Sequence, residues 1–96
     1  VYVGDVARAH VLAAKRASIP AGRVDERGIN LGTGRETSVV ELAQALMRAA
    51  GKDVPLNHAA PRAGEQRRSV VSIAKAGSVL GWTPQVSLED GLARTY

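Results

Sequence analysis

Large apolar side chains are what this sequence lacks, and that shortage limits what it can fold into by itself. Of its 43 hydrophobic residues 16 are alanine, Leu and Ile together give 11, Phe is absent, and Tyr2, Trp82 and Tyr96 are the only aromatics. A large aliphatic contributes roughly 1.5–3 kcal/mol on burial and alanine far less, so the core must be thin. A length of 96 residues allows one small domain and excludes most complete enzymes. The expectation is a piece that packs against something else, with alanine-rich helix faces left exposed when it stands alone. A first residue that is Val1 rather than Met, opening a strand-like Val1-Tyr2-Val3 run, agrees with a segment cut from a longer chain.

The remaining composition narrows the class. The absence of cysteine removes a disulfide framework, a thiolate metal site and a Cys nucleophile, and fits a reducing compartment. No apolar run approaches the roughly 20 residues of a membrane span and no signal-peptide pattern occurs, so a soluble, cytoplasmic protein is expected. The formal charge of +4, carried by 10 Arg and 3 Lys, suits an anionic partner such as phosphate or nucleic acid. A small basic nucleic-acid-binding module is therefore an alternative of another class. Against it stand the dispersed basic residues and the near absence of stacking aromatics. A dimerisation piece built on the terminal helices is a third option.

Along the chain, strand and helix signals alternate, which predicts an α/β fold of short strands and about four helices. Val1–Val3 is β-prone, and Gly4-Asp5 offers a turn and an N-cap for a helix with Val6, Ala9 and Ala13 on one face. Ser18 to Gly28, with Pro20 and Gly22, reads as a solvated loop, and Ile29-Asn30-Leu31 as a second strand closed by Gly32-Thr33-Gly34. Ser38 with Glu41 makes a reciprocal capping pair, followed by an apolar stripe of Val39, Leu42, Ala43, Leu46, Met47 and Ala50 that Gly51 terminates. Val54 to Ala59 is a third extended segment, with Pro55 best placed on a sheet edge. After a polar loop from Ala60 to Arg68, Val70-Val71 is extended and Ser72 caps a short helix carrying Ile73, Ala76 and Leu80, ended by Gly81. Ser87-Leu88-Glu89-Asp90 starts the last helix, with acids in its first turn.

Spacing assembles no catalytic site. His10 in a helix and His58 in an extended segment lack ligand-like spacing, no metal set forms, and neither Tyr2 nor Tyr96 has the Lys four residues on that a Tyr-x-x-x-Lys pair requires. Gly32-Thr33-Gly34 leads from a strand toward a capped helix, as a phosphate loop does, yet lacks the third glycine of the dinucleotide fingerprint. The Pro61-Arg62-Ala63-Gly64-Glu65-Gln66-Arg67-Arg68 run has the chemistry for a nucleotide, because guanidinium groups pair with phosphate and a carboxylate accepts from sugar hydroxyls. A solvated charged loop explains the same residues.

Taken in order, five blocks carry a resemblance: Val1-Tyr2-Val3-x-Asp5 through His10; Asn30-Leu31-Gly32-Thr33-Gly34 through Leu42; Pro61-Arg62-x-Gly64-Glu65 through Ser69; Lys75-Ala76 through Leu80-Gly81-Trp82-x-Pro84; and Ser87 through Leu92. Together, over essentially the whole chain, they resemble the C-terminal part of the extended short-chain dehydrogenases/reductases, in particular the NAD-dependent nucleotide-sugar epimerase/dehydratase family and its UDP-glucose 4-epimerase branch most of all. The resemblance implies that residues 1–96 form a single substrate-side domain fragment that binds a UDP-sugar. It implies that Arg62 contacts the diphosphate and Glu65 the uridine ribose, with Ser69 close to the nucleotide. Glu65 stands where an Asp is common in the family. Asp5 matches a recurring acid explained by an N-cap role. The NAD loop, the Tyr-x-x-x-Lys pair and a second phosphate-contacting Arg would lie upstream of Val1, in an N-terminal Rossmann domain that binds NAD and is absent from this chain. No catalytic and no cofactor-binding residue is therefore assigned here. A dTDP- or UDP-sugar dehydratase or decarboxylase is the alternative within the family, and a homodimer is an expectation for the full-length enzyme.

Overall fold

In the computed structural model of the chain, which describes residues 1–16, 18, 22–66 and 68–96, two helix pairs form the architecture. The elements are α1 (Val3–Ala14), α2 (Val24–Arg27), α3 (Val39–Ala50), α4 (Ala74–Leu80) and α5 (Leu88–Thr95). Helix α1 packs on α4, and α3 packs on α5. The molecule is a slab of 50 × 32 × 15 Å with a radius of gyration of 16.6 Å. A compact chain of this length would have about 12.5 Å, so the apolar inventory has not drawn it into one ball.

Four helix boundaries follow from local chemistry as expected. Ser38 Oγ accepts from the Glu41 N–H at 3.1 Å while the Glu41 carboxylate accepts from the Ser38 N–H at 2.7 Å, satisfying two groups that the first turn of α3 leaves open. Helices α3 and α4 stop at Gly51 and Gly81, whose φ values of 63° and 62° are left-handed and cost a residue without Cβ nothing. In α5, Ser87 Oγ accepts from the Asp90 N–H at 3.0 Å. Ser72 serves α4 one position early: Ile73 occupies the N-cap, and Ser72 Oγ accepts from the Ala74 N–H at 3.4 Å.

The strands are the correction. None forms among the described residues, so the alternating strand–helix pattern gives way to helices joined by extended and turning chain. An extended run becomes a strand only when a neighbour supplies the ladder of hydrogen bonds. Ile29–Leu31, Val54–Ala59 and Val70–Val71 find no such neighbour here, and Pro55 sits on no sheet edge. Val3 instead joins the first turn of α1, where Asp5 and Val6 donate to the Tyr2 carbonyl at 3.1 and 3.2 Å. Within the loop expected from Ser18 to Gly28, Val24–Arg27 makes one helical turn, with the Arg23 N–H donating to the Glu26 carboxylate at 3.0 Å. Pro20 lies outside the described residues.

The core sits in the α1/α4 half and consists of Ala9, Ala76, Leu80 and Trp82, with Leu12, Ala13, Ile29, Leu31, Ile73 and Val79 packed around it. Trp82 is wholly buried, and its indole N–H donates to the Asp5 carbonyl at 2.8 Å. Asp5 is also buried. Rather than capping its own helix, its carboxylate accepts from Arg8 at 2.9 Å and, through Oδ2, from the Gln85 and Val86 N–H groups at 2.9 and 3.0 Å. Arg8 also donates to the Thr83 carbonyl and lies over the Trp82 ring, 5.9 Å from its centroid. Burial alone would raise the Asp5 pKa, but the Arg8 guanidinium and the two backbone donors outweigh it and hold the carboxyl below its ordinary value. Asp5 thus fastens α1 to the segment that leads into α5.

Helix α3 is different. Ala45 is its buried residue, whereas Val39, Leu42 and Leu46 of the expected stripe are 81, 42 and 44% exposed. The exposed apolar surface of this helix is thus Val and Leu rather than the alanines expected to be exposed, since Ala43, Ala49 and Ala50 are half-buried and Ala45 is buried.

Candidate nucleotide-sugar site

The residues assigned by resemblance fall on an exposed stretch between α3 and α4. Around Gly64 the chain makes a tight turn that closes on itself twice. The Glu65 N–H donates to the Arg62 carbonyl and the Arg62 N–H to Glu65 Oε2, each at 3.2 Å. Gly64 takes φ = 82°, which lets the chain reverse there without a Cβ clash. The turn therefore holds Arg62 and Glu65 together, the second orienting the backbone of the first. A glutamate is long enough for this backward reach, which repeats across a turn the geometry of a helix capping box.

Beyond the turn, Arg68 makes a side-on pair with Glu36, in the loop that precedes α3. Its Nε donates to Oε1 at 2.9 Å and to Oε2 at 3.1 Å, and its Nη2 to Oε2 at 2.7 Å. The pairing holds the Glu36 carboxyl below its usual range and raises the Arg68 guanidinium. Ser69 and Val71 then enter a groove of about 1000 Å³ between α3, α5 and the N-terminus, whose walls include Tyr2, Leu42, Val86 and Leu92. Arg62 and Glu65 are outside its lining. The three assigned residues are thus divided: Arg62 and Glu65 share the turn, and Ser69 lies beyond the Arg68 pair on the groove wall. Arg67 lies outside the described residues.

A dinucleotide phosphate does not fit the Gly32-Thr33-Gly34 loop. A Cβ on Gly32 would stand 2.8 Å from Val71 Cγ2, so this glycine accommodates the crossing of Val71 rather than a ligand. At the start of α3 the Glu41 N–H is engaged by Ser38 Oγ, and the Glu41 carboxylate, held by the Ser38 N–H, places a negative charge where an anion would gather. Among the described residues no group of three or more His, Cys, Asp or Glu could hold a metal, His10 Nδ1 bonds the Val6 carbonyl on the surface of α1, and His58 is exposed. No described helix is long and apolar enough to cross a membrane.

Two functional-looking features escaped the sequence: the Asp5 fastening and the Glu36–Arg68 pair. Both join residues far apart in the chain, and only the abundance of Arg hinted at the second.

No family model matches the chain. Over 99% of its length it is 46% identical to UDP-glucose 4-epimerase of Mycolicibacterium smegmatis, of which it covers 28%. It is 34% identical over 93% of its length to UDP-glucose 4-epimerase of Mus musculus, covering 25% of that protein. The fold matches a crystal structure of UDP-glucose-4-epimerase from Stenotrophomonas maltophila with bound NAD and formylated UDP-arabinopyranose, with a TM-score of 0.77 and 37% identity. That match covers 96% of this chain and 26% of the other. The chain thus spans about a quarter of the length of these relatives and corresponds to their C-terminal part.

Proposed function

We propose that this chain, homologous throughout to the C-terminal part of UDP-glucose 4-epimerases, is the substrate-side portion of such an enzyme and holds the nucleotide end of a UDP-sugar. The observation that carries the reading is the 46% identity over 99% of the chain with an epimerase of which the chain covers 28%. In this reading residues 1–96 form one domain fragment. The Arg62 guanidinium pairs with the diphosphate, where a charge-assisted bond is at its strongest. Glu65 accepts from the uridine ribose, and Ser69 lies near the nucleotide. The turn supports this division of labour, since it holds the Glu65 carboxylate against the Arg62 backbone and so keeps the two residues in one turn. The groove and the exposed stripe of α3 face the N-terminal Rossmann domain of the whole enzyme, which carries NAD and the hydride-transfer residues; a cytoplasmic homodimer belongs to the same reading. This chain supplies binding and orientation, and no proton or hydride moves at any of its atoms.

The test is a hybrid in which the matching stretch of the M. smegmatis enzyme is replaced by this chain. Arg62→Ala should raise the KM for UDP-glucose at least about tenfold, the scale of one lost hydrogen bond to a charged group. An unchanged KM would remove Arg62 from the site, and a hybrid that binds UDP-glucose no better than the M. smegmatis enzyme truncated before this stretch would remove the function.

A further inference from the structure

The stretch from Pro55 to Val71 is exposed at every described position, and it contains the turn that the proposed function uses. An exposed segment of this length has many conformations of similar energy, and a ligand that selects one must overcome the entropy of ordering the rest. Among the described residues, the hydrogen bonds that tie this stretch to another segment are the three from Arg68 to Glu36. The pair spans 32 positions and joins the end of the turn region to the loop leading into α3, where the capping pair of Ser38 and Glu41 fixes the backbone. Its parallel two-point geometry constrains direction as well as distance.

Resting on the proposed function, we infer that Glu36 and Arg68 are positioning residues for the nucleotide-sugar: Glu36 anchors Arg68, and Arg68 sets the pose of the Arg62–Glu65 turn. Val71 is the second point of attachment, through its contact over Gly32. Both anchors lie on the exit side of the turn, and the ion pair, three residues after Glu65, is the nearer of the two. Neither Glu36 nor Arg68 need touch the substrate; their contribution is to have the turn in place before the substrate arrives. Because both side chains are partly or largely exposed, the effect is modest and falls with salt.

Two measurements test this. In the 15N-labelled chain, Glu36→Gln should increase the fast backbone motion of Gly64 and Glu65 and leave that of α1 and α4 unchanged. In the hybrid enzyme, the same substitution should raise the KM for UDP-glucose about three- to fivefold, the range open to an exposed but bidentate pair, with kcat held. The charge exchange Glu36→Arg with Arg68→Glu should restore both readouts at least halfway, which a merely structural role of either residue would not produce. Unaltered Gly64 motion together with a wild-type KM in Glu36→Gln would overturn the inference, and so would a loss that the charge exchange does not repair. If Arg62→Ala raises KM while Glu36→Gln does not, the site stands and the tether falls. If Arg62→Ala is silent, the site itself falls, and the Gly64 motion still decides whether the pair orders the turn.

Discussion

The α1/α4 half and the α3/α5 half draw on the same sequence but end in opposite states. In the first, small residues suffice, because Ala9 and Ala76 let two helices approach closely and Trp82 fills the space beside them with its one polar atom bonded. In the second, the most regular apolar stripe in the chain leaves Val39 and Leu42 substantially exposed on the wall of an open groove, and Leu46 exposed outside it. Helix periodicity records that a helix needs a partner on one face. It does not record whether that partner is in the same chain. A strong amphipathic signal beside a thin apolar inventory is what a part of a larger assembly should show, and relatives about four times as long agree with it.

That contrast can be broken by truncation on each side. Trp82→Ala should cost about 3–5 kcal/mol in a urea titration, because it empties the centre of the core and removes the indole N–H bond to the Asp5 carbonyl. A cost below about 1 kcal/mol would mean that the α1/α4 half is no better sealed than the other.

The fastening that holds the sealed half to the start of α5 is the next target. Asp5→Ala should cost about 1–3 kcal/mol by stranding the Gln85 and Val86 N–H groups. The same carboxylate makes stability depend on acid. Its folded-state pKa lies below the unfolded value of 3.8, so its contribution is fully present above that value and is lost as the pH falls through the folded one. A denaturation series through that acid range should show a steeper loss for the wild type than for Asp5→Ala, and parallel curves would show that the carboxylate is not the group responsible.

The smallest expected effect sharpens the comparison most. Leu46→Ala in α3 should change the stability of the chain alone by no more than about 0.5 kcal/mol, the usual scale of a surface substitution. In the hybrid enzyme, where the proposed Rossmann domain covers this face, it should lower the thermal midpoint. A large loss in the isolated chain would show that the α3 face is buried within the chain itself.

What could be read from the sequence was what depends on neighbours in the chain. The Ser38–Glu41 pair, the Ser87 cap and the stops at Gly51 and Gly81 all join residues a few positions apart, where a side chain can reach only a few backbone groups. The Arg62–Glu65 turn is equally local, although the sequence by itself indicated only a polar loop there; the resemblance of this block to a nucleotide-contacting one needed only the order of residues. The strands failed for the complementary reason. A run such as Val54–Ala59 has the composition of a strand, but pairing is a relation between segments, and no described segment supplies the ladder.

By itself, then, the sequence determined where α3 and α5 begin, where α3 and α4 end, which face of α3 is apolar, and that too little large apolar surface is present for a closed core; it missed the start of α1 at Val3 and the turn of α2. Only the tertiary structure decided whether that face is covered, that Asp5 fastens the segment before α5 rather than capping α1, and that Glu36 meets Arg68 across 32 positions. The physical reason is distance along the chain. Local contacts are nearly dictated by backbone geometry, whereas a contact between remote residues exists only once the whole chain has met the entropy cost of closing the loop between them.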